Sequence, residues 1–355
     1  MLTDVKAMTP EWLTAHLREN GYLAQGEVTA VNCSPTIERM AAFITPLKIS
    51  YSADTPPSAP TALIHKLFRS SHFRGGIAEV PFYSKIVTSV ANAAVPQCFG
   101  SYINYETKLA ALLLQDISQT HNQLPWPIPD NLLDEAALHQ FADEILKFHT
   151  HWWQHPQLND DLFLRPHGGP LRMVQAITPD GIRQHAANIM QLFPEMVAKL
   201  GDKFRPHWHG IYERAIEKWP ELLIQRTQNG QGVTLIHGDY HLFNTYFPND
   251  PSAHGLMILD WETYKRGLGV YDLAYPMTLS LMAHRRRQLE RPLLRYYHTQ
   301  LLAAGIENYG WDDCLADYRL SVLACLFPPL LWPRHESIED AMVAFNDWGC
   351  IELIR

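Results

Sequence analysis

The sequence predicts an α+β chain in which a strand-rich first part precedes a longer, mostly helical part. Three observations carry this. Short apolar, β-like runs fall at 28–32, 43–51, 61–68, 95–102 and 109–114, all early in the chain. After them, segments of helical period take over, at 132–148, 179–193, 206–219, 293–302, 314–327 and 337–350. The length of 355 residues, 46% of them hydrophobic, allows two lobes with a sizeable core.

The balance of charge and the cysteines exclude several classes. The formal net charge is -8 and the pI about 6.1, opposite to the basic balance of a nucleic-acid binder. Cys33, Cys98, Cys314, Cys325 and Cys350 are odd in number and widely spaced, without a CxxC pair. They are expected to be reduced thiols of a cytoplasmic protein, with no disulfide framework and no zinc site. No signal peptide is expected at the N-terminus and no membrane span anywhere.

Along the chain, Thr9 and Pro10 open a first helix and Gly21 stops it. Lys66 interrupts the apolar run 61–68, a position where a lone lysine would otherwise be read as a snorkelling edge residue. A loop over 69–76 containing Gly75 and Gly76 is expected to lead into a helix carrying Glu79, with Pro81 in its first turn. Two antiparallel strands then run to Gln115, Asp116 and Ile117. A proline-broken linker over 122–129 precedes the helix at 132–148. His149, His151 and His155 follow without an acidic neighbour, which favours packing over a metal site. Arg285, Arg286 and Arg287 read as a solvated helix face. Trp311, Trp332 and Trp348 could line a pocket, although core packing is the commoner fate of tryptophan.

The most informative stretch is Leu235-Ile236-His237-Gly238-Asp239-Tyr240-His241-Leu242-Phe243-Asn244, followed by Met257-Ile258-Leu259-Asp260-Trp261-Glu262. Two apolar runs each end in an aspartate, and Asn244 lies between them. Two carboxylates and an amide carbonyl converging on one point make a hard-oxygen site. Such a site suits Mg²⁺, which takes one or two carboxylates and fills its shell with water and phosphate. Taken singly, Asp239 and Asp260 would be turn or capping residues.

These motifs resemble the aminoglycoside phosphotransferase, choline/ethanolamine kinase and ecdysteroid-kinase-like family, whose fold is that of the protein kinases. The resemblance implies a bilobal α+β fold, with an N-lobe of sheet plus helix over 1–115 and a mostly helical C-lobe over 116–355. It implies that His-Gly-Asp-x-x-x-x-Asn is the catalytic loop, with Asp239 as base, and that Asn244 and Asp260 bind Mg²⁺. It further implies that Lys66 neutralises the α- and β-phosphates of ATP, that Glu79 pairs with Lys66, and that the backbone at Gln115 and Ile117 meets the adenine edge. Asp272, in Tyr271-Asp272-Leu273-Ala274, becomes a buried carboxylate supporting the loop, with His237 as its partner. The segment 160–230 would shape the acceptor pocket, and the aromatic C-terminal half tilts that acceptor toward an apolar body.

One departure stands out. The hairpin expected to cover the phosphates, Pro35 to Phe43, has no glycine, only Ala41 and Ala42 near its tip. The expected function is therefore ATP-dependent phosphorylation of a hydroxyl on a small metabolite or antibiotic. The alternative is a non-catalytic nucleotide-binding protein on the same fold, and a third reading is a metallohydrolase built on His237, Asp239 and His241. No Ala-Pro-Glu element follows Asp260, which argues against protein substrates.

Overall fold

The computed structural model describes residues 2–125, 128, 133–160, 178–250, 255–331 and 335–355. It begins with helix α1 (Pro10–Glu19), whose first turn is capped by the Thr9 hydroxyl accepting the Trp12 N–H. An antiparallel sheet follows, in the order β1 (Val28–Cys33), β3 (Ala42–Tyr51), β4 (Ala62–Phe68), β6 (Leu109–Gln115), β5 (Cys98–Asn104), with the two-residue β2 (Ile37–Glu38) pairing with β3. All six strands lie before residue 116.

Side chains on β6 alternate between two cores, as a strand's period of two requires. Ala111 and Leu113 join Leu13, Leu17, Leu47 and Leu63 beneath α1. Ala110, Leu112 and Leu114 face the other way, into a core continuous with the C-terminal helices. The sheet is thereby fixed to the rest of the chain through one face only.

Helix α2 (Phe73–Pro81) corrects the expected loop over 69–76. Both glycines are inside the helix and buried, and Pro81 is at its end rather than in its first turn. A Cβ on Gly76 would lie 2.4 Å from Ala110 Cβ, so glycine is needed for the helix to lie against β6. Pro81 has no N–H and its ring crowds the preceding turn, and the helix widens to a π turn over Phe82–Ile86. Phe82 then stacks on Trp261, centroids 4.2 Å apart.

The second part contains α3 (Glu135–His151), α4 (Pro179–Leu200), α5 (His209–Thr227), α6 (Tyr271–Leu279), α7 (Ala283–Ala303), α8 (Trp311–Ala324), a short helix at Pro328–Leu331 and α9 (His335–Asp347). Asp134 caps α3 by accepting the Ala137 N–H at 2.8 Å. Leu132, Trp332 and Pro333 lie outside the described residues. Strand β8 (Val233–Ile236), buried throughout, pairs antiparallel with β11 (Lys265–Leu268), and β9 (Thr245–Pro248) pairs with β10 (Met257–Ile258) and with β7 (His121–Asn122).

The arginine run at 285–287 is not one solvated face. Arg286 is 1% exposed and pairs with Glu290 and Asp347, while Arg287 is exposed. Helical rotation of about 100° per residue turns one of three consecutive side chains inward, and two acids neutralise it there. All five cysteines are unpaired. Among the described residues, no helix is long and apolar enough to cross a membrane.

Candidate active site

Lys66 lies on β4, the central strand between β3 and β6. Its Nζ donates to Glu79 Oε2 at 2.7 Å and to Asp260 Oδ1 at 2.8 Å. The three side chains come from the sheet, from α2 and from the turn after β10. Exposure grades along the chain of contacts, with the side chain of Glu79 1% exposed, Lys66 11% and Asp260 56%. Asp260 is thus the member that opens to solvent.

Charge follows that gradient. Burial opposes the Lys66 charge, but Asp260 and Glu79 together outweigh it and hold the ammonium well above its ordinary pKa. Lys66 holds the Asp260 carboxyl below the usual range, with burial resisting. Burial pushes the Glu79 carboxyl up to about 7, Lys66 pulling it down and Asp260 adding to the rise. Asp260 therefore carries the firmer negative charge of the two.

Asp260 sits at φ 59°, ψ 55°, the left-handed region that a non-glycine residue enters at a cost. The conformation turns the chain sharply from β10 into Trp261, whose ring is buried between Phe82, Phe148 and His237. That aromatic stack fixes the position of Asp260 relative to α2, and hence to Glu79 and Lys66.

Asp239 and Asn244 follow β8 on one compact loop. The Asn244 side-chain N–H donates to the Asp239 carbonyl at 3.1 Å and lies 3.5 Å from Asp239 Oδ2. The amide oxygen is thereby directed away from that carbonyl. Pairing of Thr245 with Ile258, and a bond from Leu259 N–H to Asn244 O at 2.9 Å, bring this loop beside Asp260. Asp239 is further flanked by His241 Nε2 at 3.6 Å and lies near enough to the buried Tyr275 to raise the pKa of its phenol, after burial itself.

The loop is held from behind by Asp272, wholly buried in the first turn of α6. Its Oδ2 accepts the His237 N–H at 2.7 Å and its Oδ1 the Gly238 N–H at 3.0 Å. His149 Nε2 lies 3.2 Å from Oδ2, and His149 Nδ1 is 2.8 Å from the Tyr297 hydroxyl. A fully buried carboxylate is tolerable only with such a set of donors. Gly238, at φ 81°, makes the turn that lets two successive N–H groups point at one carboxylate.

His237 itself is fully buried. Its Nε2 lies 2.9 Å from the Leu259 carbonyl and its Nδ1 accepts the Asp239 N–H at 3.3 Å. Burial lowers its pKa, so the neutral Nε2–H form suits both contacts. This removes His237 from any metal set with Asp239 and His241. Among the described residues no group of three or more His, Cys, Asp or Glu could hold a metal by itself, which includes His149, His151 and His155. Asn244 and Asp260 supply two hard oxygens, the partial set that suits Mg²⁺ shared with phosphate and water.

At the expected adenine edge, Gln115 ends β6, its N–H bonded to Gln97 O at 2.8 Å. The Ile117 carbonyl accepts the N–H groups of Thr120 and His121. Any pairing from Ile117 therefore falls to its own N–H.

Sequence reasoning missed several groups here. Arg69 binds the glycine-free hairpin tip, donating to the carbonyls of Ala41 and Arg39 at 2.9 and 2.8 Å. Glu262 packs against Gly75, where a Cβ would come 2.2 Å from Oε2. Lys265 is buried at the start of β11, and with Arg266 beside it and no apolar run around it the sequence carries no signal like that of Lys66. Beside the loop that follows β8, Gly238, Lys265 and Tyr275 line a mostly apolar cavity with Trp219 and Phe327. Trp311 and Trp348 do not line it. Trp311 carries Arg295 at 3.6 Å, and Trp348 donates to Glu290 at 3.0 Å.

Comparison with known proteins agrees with this architecture. The chain aligns with an ethanolamine kinase of Plasmodium vivax at 12% identity, over 95% of this chain and 86% of that one, with a TM-score of 0.52. It aligns with a mutant of aminoglycoside 2′-phosphotransferase-IIIa in complex with GDP at 11% identity, over 97% and 98%, with a TM-score of 0.50. At such identities the likeness shows the bilobal protein-kinase-like fold alone. No curated protein matches the sequence. The profile of the ecdysteroid kinase-like family matches residues 78–306, more than half of the chain. On that match, the chain belongs to the ecdysteroid kinase-like family.

Proposed function

We propose that this protein is an ATP-dependent kinase that transfers the γ-phosphoryl group to a hydroxyl of a small metabolite or antibiotic. The observation that carries the reading is Lys66 bridging Glu79 and Asp260, with Asp239 and Asn244 on the adjoining loop. Phosphoryl transfer needs positioning and charge neutralisation more than covalent help, and these residues offer both. The division at residue 115/116 makes the first lobe the cover of the nucleotide. The unpaired thiols suit a cytoplasmic setting.

In this reading Asp239 takes the hydroxyl proton as the acceptor oxygen bonds to the γ-phosphorus, and the bond from that phosphorus to the bridging oxygen breaks to release ADP. His241 flanks the Asp239 carboxylate and helps to keep it in position. Lys66, kept extended by Glu79, offers its charge to the α- and β-phosphates. Asn244 and Asp260 would hold Mg²⁺, which when bound neutralises charge on the phosphate oxygens. GDP in the aminoglycoside 2′-phosphotransferase complex supports a nucleotide in the equivalent cleft.

The glycine-free hairpin favours a second reading, a nucleotide-binding protein without transfer activity. Asp239→Asn decides between them. If the chain is a kinase, the variant keeps Mg²⁺-ATP-dependent thermal stabilisation and loses transfer to an acceptor found by library screening. Equal transfer by variant and wild type would remove Asp239 from its role, and no transfer by the wild type to any hydroxyl compound would favour the second reading.

A further inference from the structure

The cavity beside the catalytic loop holds about 80 Å³, room for several waters or one small ring at roughly 10–15 Å³ per water on that measure. Leu223, Leu268, Tyr271, Leu320 and Phe327 make most of its wall apolar. Gly238 and Tyr275 form the end nearest Asp239. Such a shape, apolar with a few polar groups, is that of a small-molecule site.

Two of its lining residues carry polar atoms that the protein does not satisfy, and a third is a buried lysine. His185 Nδ1 and Trp219 Nε1 are buried without a hydrogen-bond partner. Lys265 is buried with its ammonium 5.8 Å from the Tyr271 ring, and among the described residues no carboxylate pairs with it. Asp272 and Asp239 act on it only from a distance. Asp272 cannot do more, since its oxygens already take the N–H groups of His237 and Gly238. His185 is kept neutral by burial and by Lys265, its pKa pulled down to about 3. Burial pulls the Lys265 pKa below its ordinary value against the pull of Asp272 and Asp239, so an anionic partner in the cavity would restore its full charge; among the described residues it is the one lysine or arginine in the wall.

An unpaired buried ammonium is costly, and a ligand that brings an oxygen acceptor removes the cost. A cationic ligand would add like-charge repulsion in a medium of low dielectric. We propose that this cavity receives the acceptor molecule, and that the acceptor is an apolar ring compound bearing a carboxylate or carbonyl oxygen bound by Lys265, with His185 and Trp219 completing its recognition. That the bound molecule is the phosphoryl acceptor rests on the kinase reading; its recognition by Lys265 does not.

The test is calorimetric and needs no nucleotide. The three isomeric (hydroxymethyl)benzoates are titrated into the full chain beside the matching (hydroxymethyl)benzyl-trimethylammonium compounds. At least one benzoate is expected to bind about tenfold or more tighter than its cationic counterpart, as a charge-assisted hydrogen bond implies. Lys265→Met is expected to erase that preference and Lys265→Arg to retain most of it. Should Lys265→Met not fold, Trp219→Phe keeps the aromatic wall and is expected to weaken benzoate binding about two- to tenfold.

The proposal is overturned by benzoate affinity equal to or below that of the cations, by no benzoate binding at millimolar concentration, or by a preference that survives Lys265→Met. Unchanged benzoate affinity in Trp219→Phe, if that is the variant used, overturns it too. Failure of the kinase reading shows separately, as no phosphoryl transfer from Mg²⁺-ATP to any hydroxyl compound by the wild type.

Discussion

Lys66 Nζ lies 2.8 Å from Asp260 Oδ1, although 194 positions separate the two in the chain. The contact joins the N-terminal sheet to the turn after β10, so it reports how these two segments meet as well as local charge. Its solvent-facing partner is the acid proposed to meet Mg²⁺. Asp260→Ala is expected to abolish the Mg²⁺-dependent part of the thermal shift produced by ATP, with a smaller loss of the metal-free part. Measurement with and without excess EDTA checks this, and an unchanged Mg²⁺ dependence would take Asp260 out of the metal set.

Lys66→Met removes the shared cation. Turnover is expected to fall about 10²–10³-fold, the usual loss for one fixed donor at a phosphoryl or oxyanion centre. Stability is expected to fall by at most ~3 kcal/mol, the low end for breaking a buried pair, because the orphaned Glu79, already pushed up to about 7 by burial, can take a proton. Denaturant melts and single-turnover rates separate the two effects.

Glu79 carries a pH signature whose sign is fixed. Its folded pKa of about 7 lies above the model-compound value of 4.5, so the folded state holds the proton more tightly. The stabilisation from this group is full below about pH 4.5 and is lost as pH rises through about 7. Glu79→Gln is expected to flatten that part of the stability–pH curve. Equal slopes for wild type and variant between pH 5 and 8, roughly the window set by those values, would contradict it.

Asp272→Asn tests the support of the loop that carries Asp239. An amide keeps one acceptor but turns an N–H₂ toward a backbone donor, leaving His237 or Gly238 N–H unsatisfied. A loss of about 1–3 kcal/mol is expected. Transfer activity should fall further than the melting temperature explains, since Asp239 follows those two residues directly. A variant with normal kcat would make Asp272 a purely structural acid.

Gly76→Ala tests the close approach of α2 to the sheet. Alanine gains about 1 kcal/mol of helix propensity, but its Cβ would meet Ala110 Cβ at 2.4 Å. Overpacking of about 1–3 kcal/mol is expected to win. An increase in Tm would show that the helix can shift outward.

Much of the candidate site is written in local spelling. The distance from Asp239 to Asn244 is five residues, the apolar runs before each aspartate make strands, and a lysine inside an apolar run is conspicuous without any coordinates. These are short-range signals, and a chain's period and turn chemistry survive in the sequence. The tertiary structure alone decided that Asp260 joins Glu79 on Lys66 and that Asp260 faces solvent. It also turned Gly75 and Gly76 into a helix, buried Arg286, and set an unpaired Lys265 in an apolar wall. Each depends on which surfaces meet across long stretches of chain, and burial and charge compensation belong to that meeting and not to any one segment.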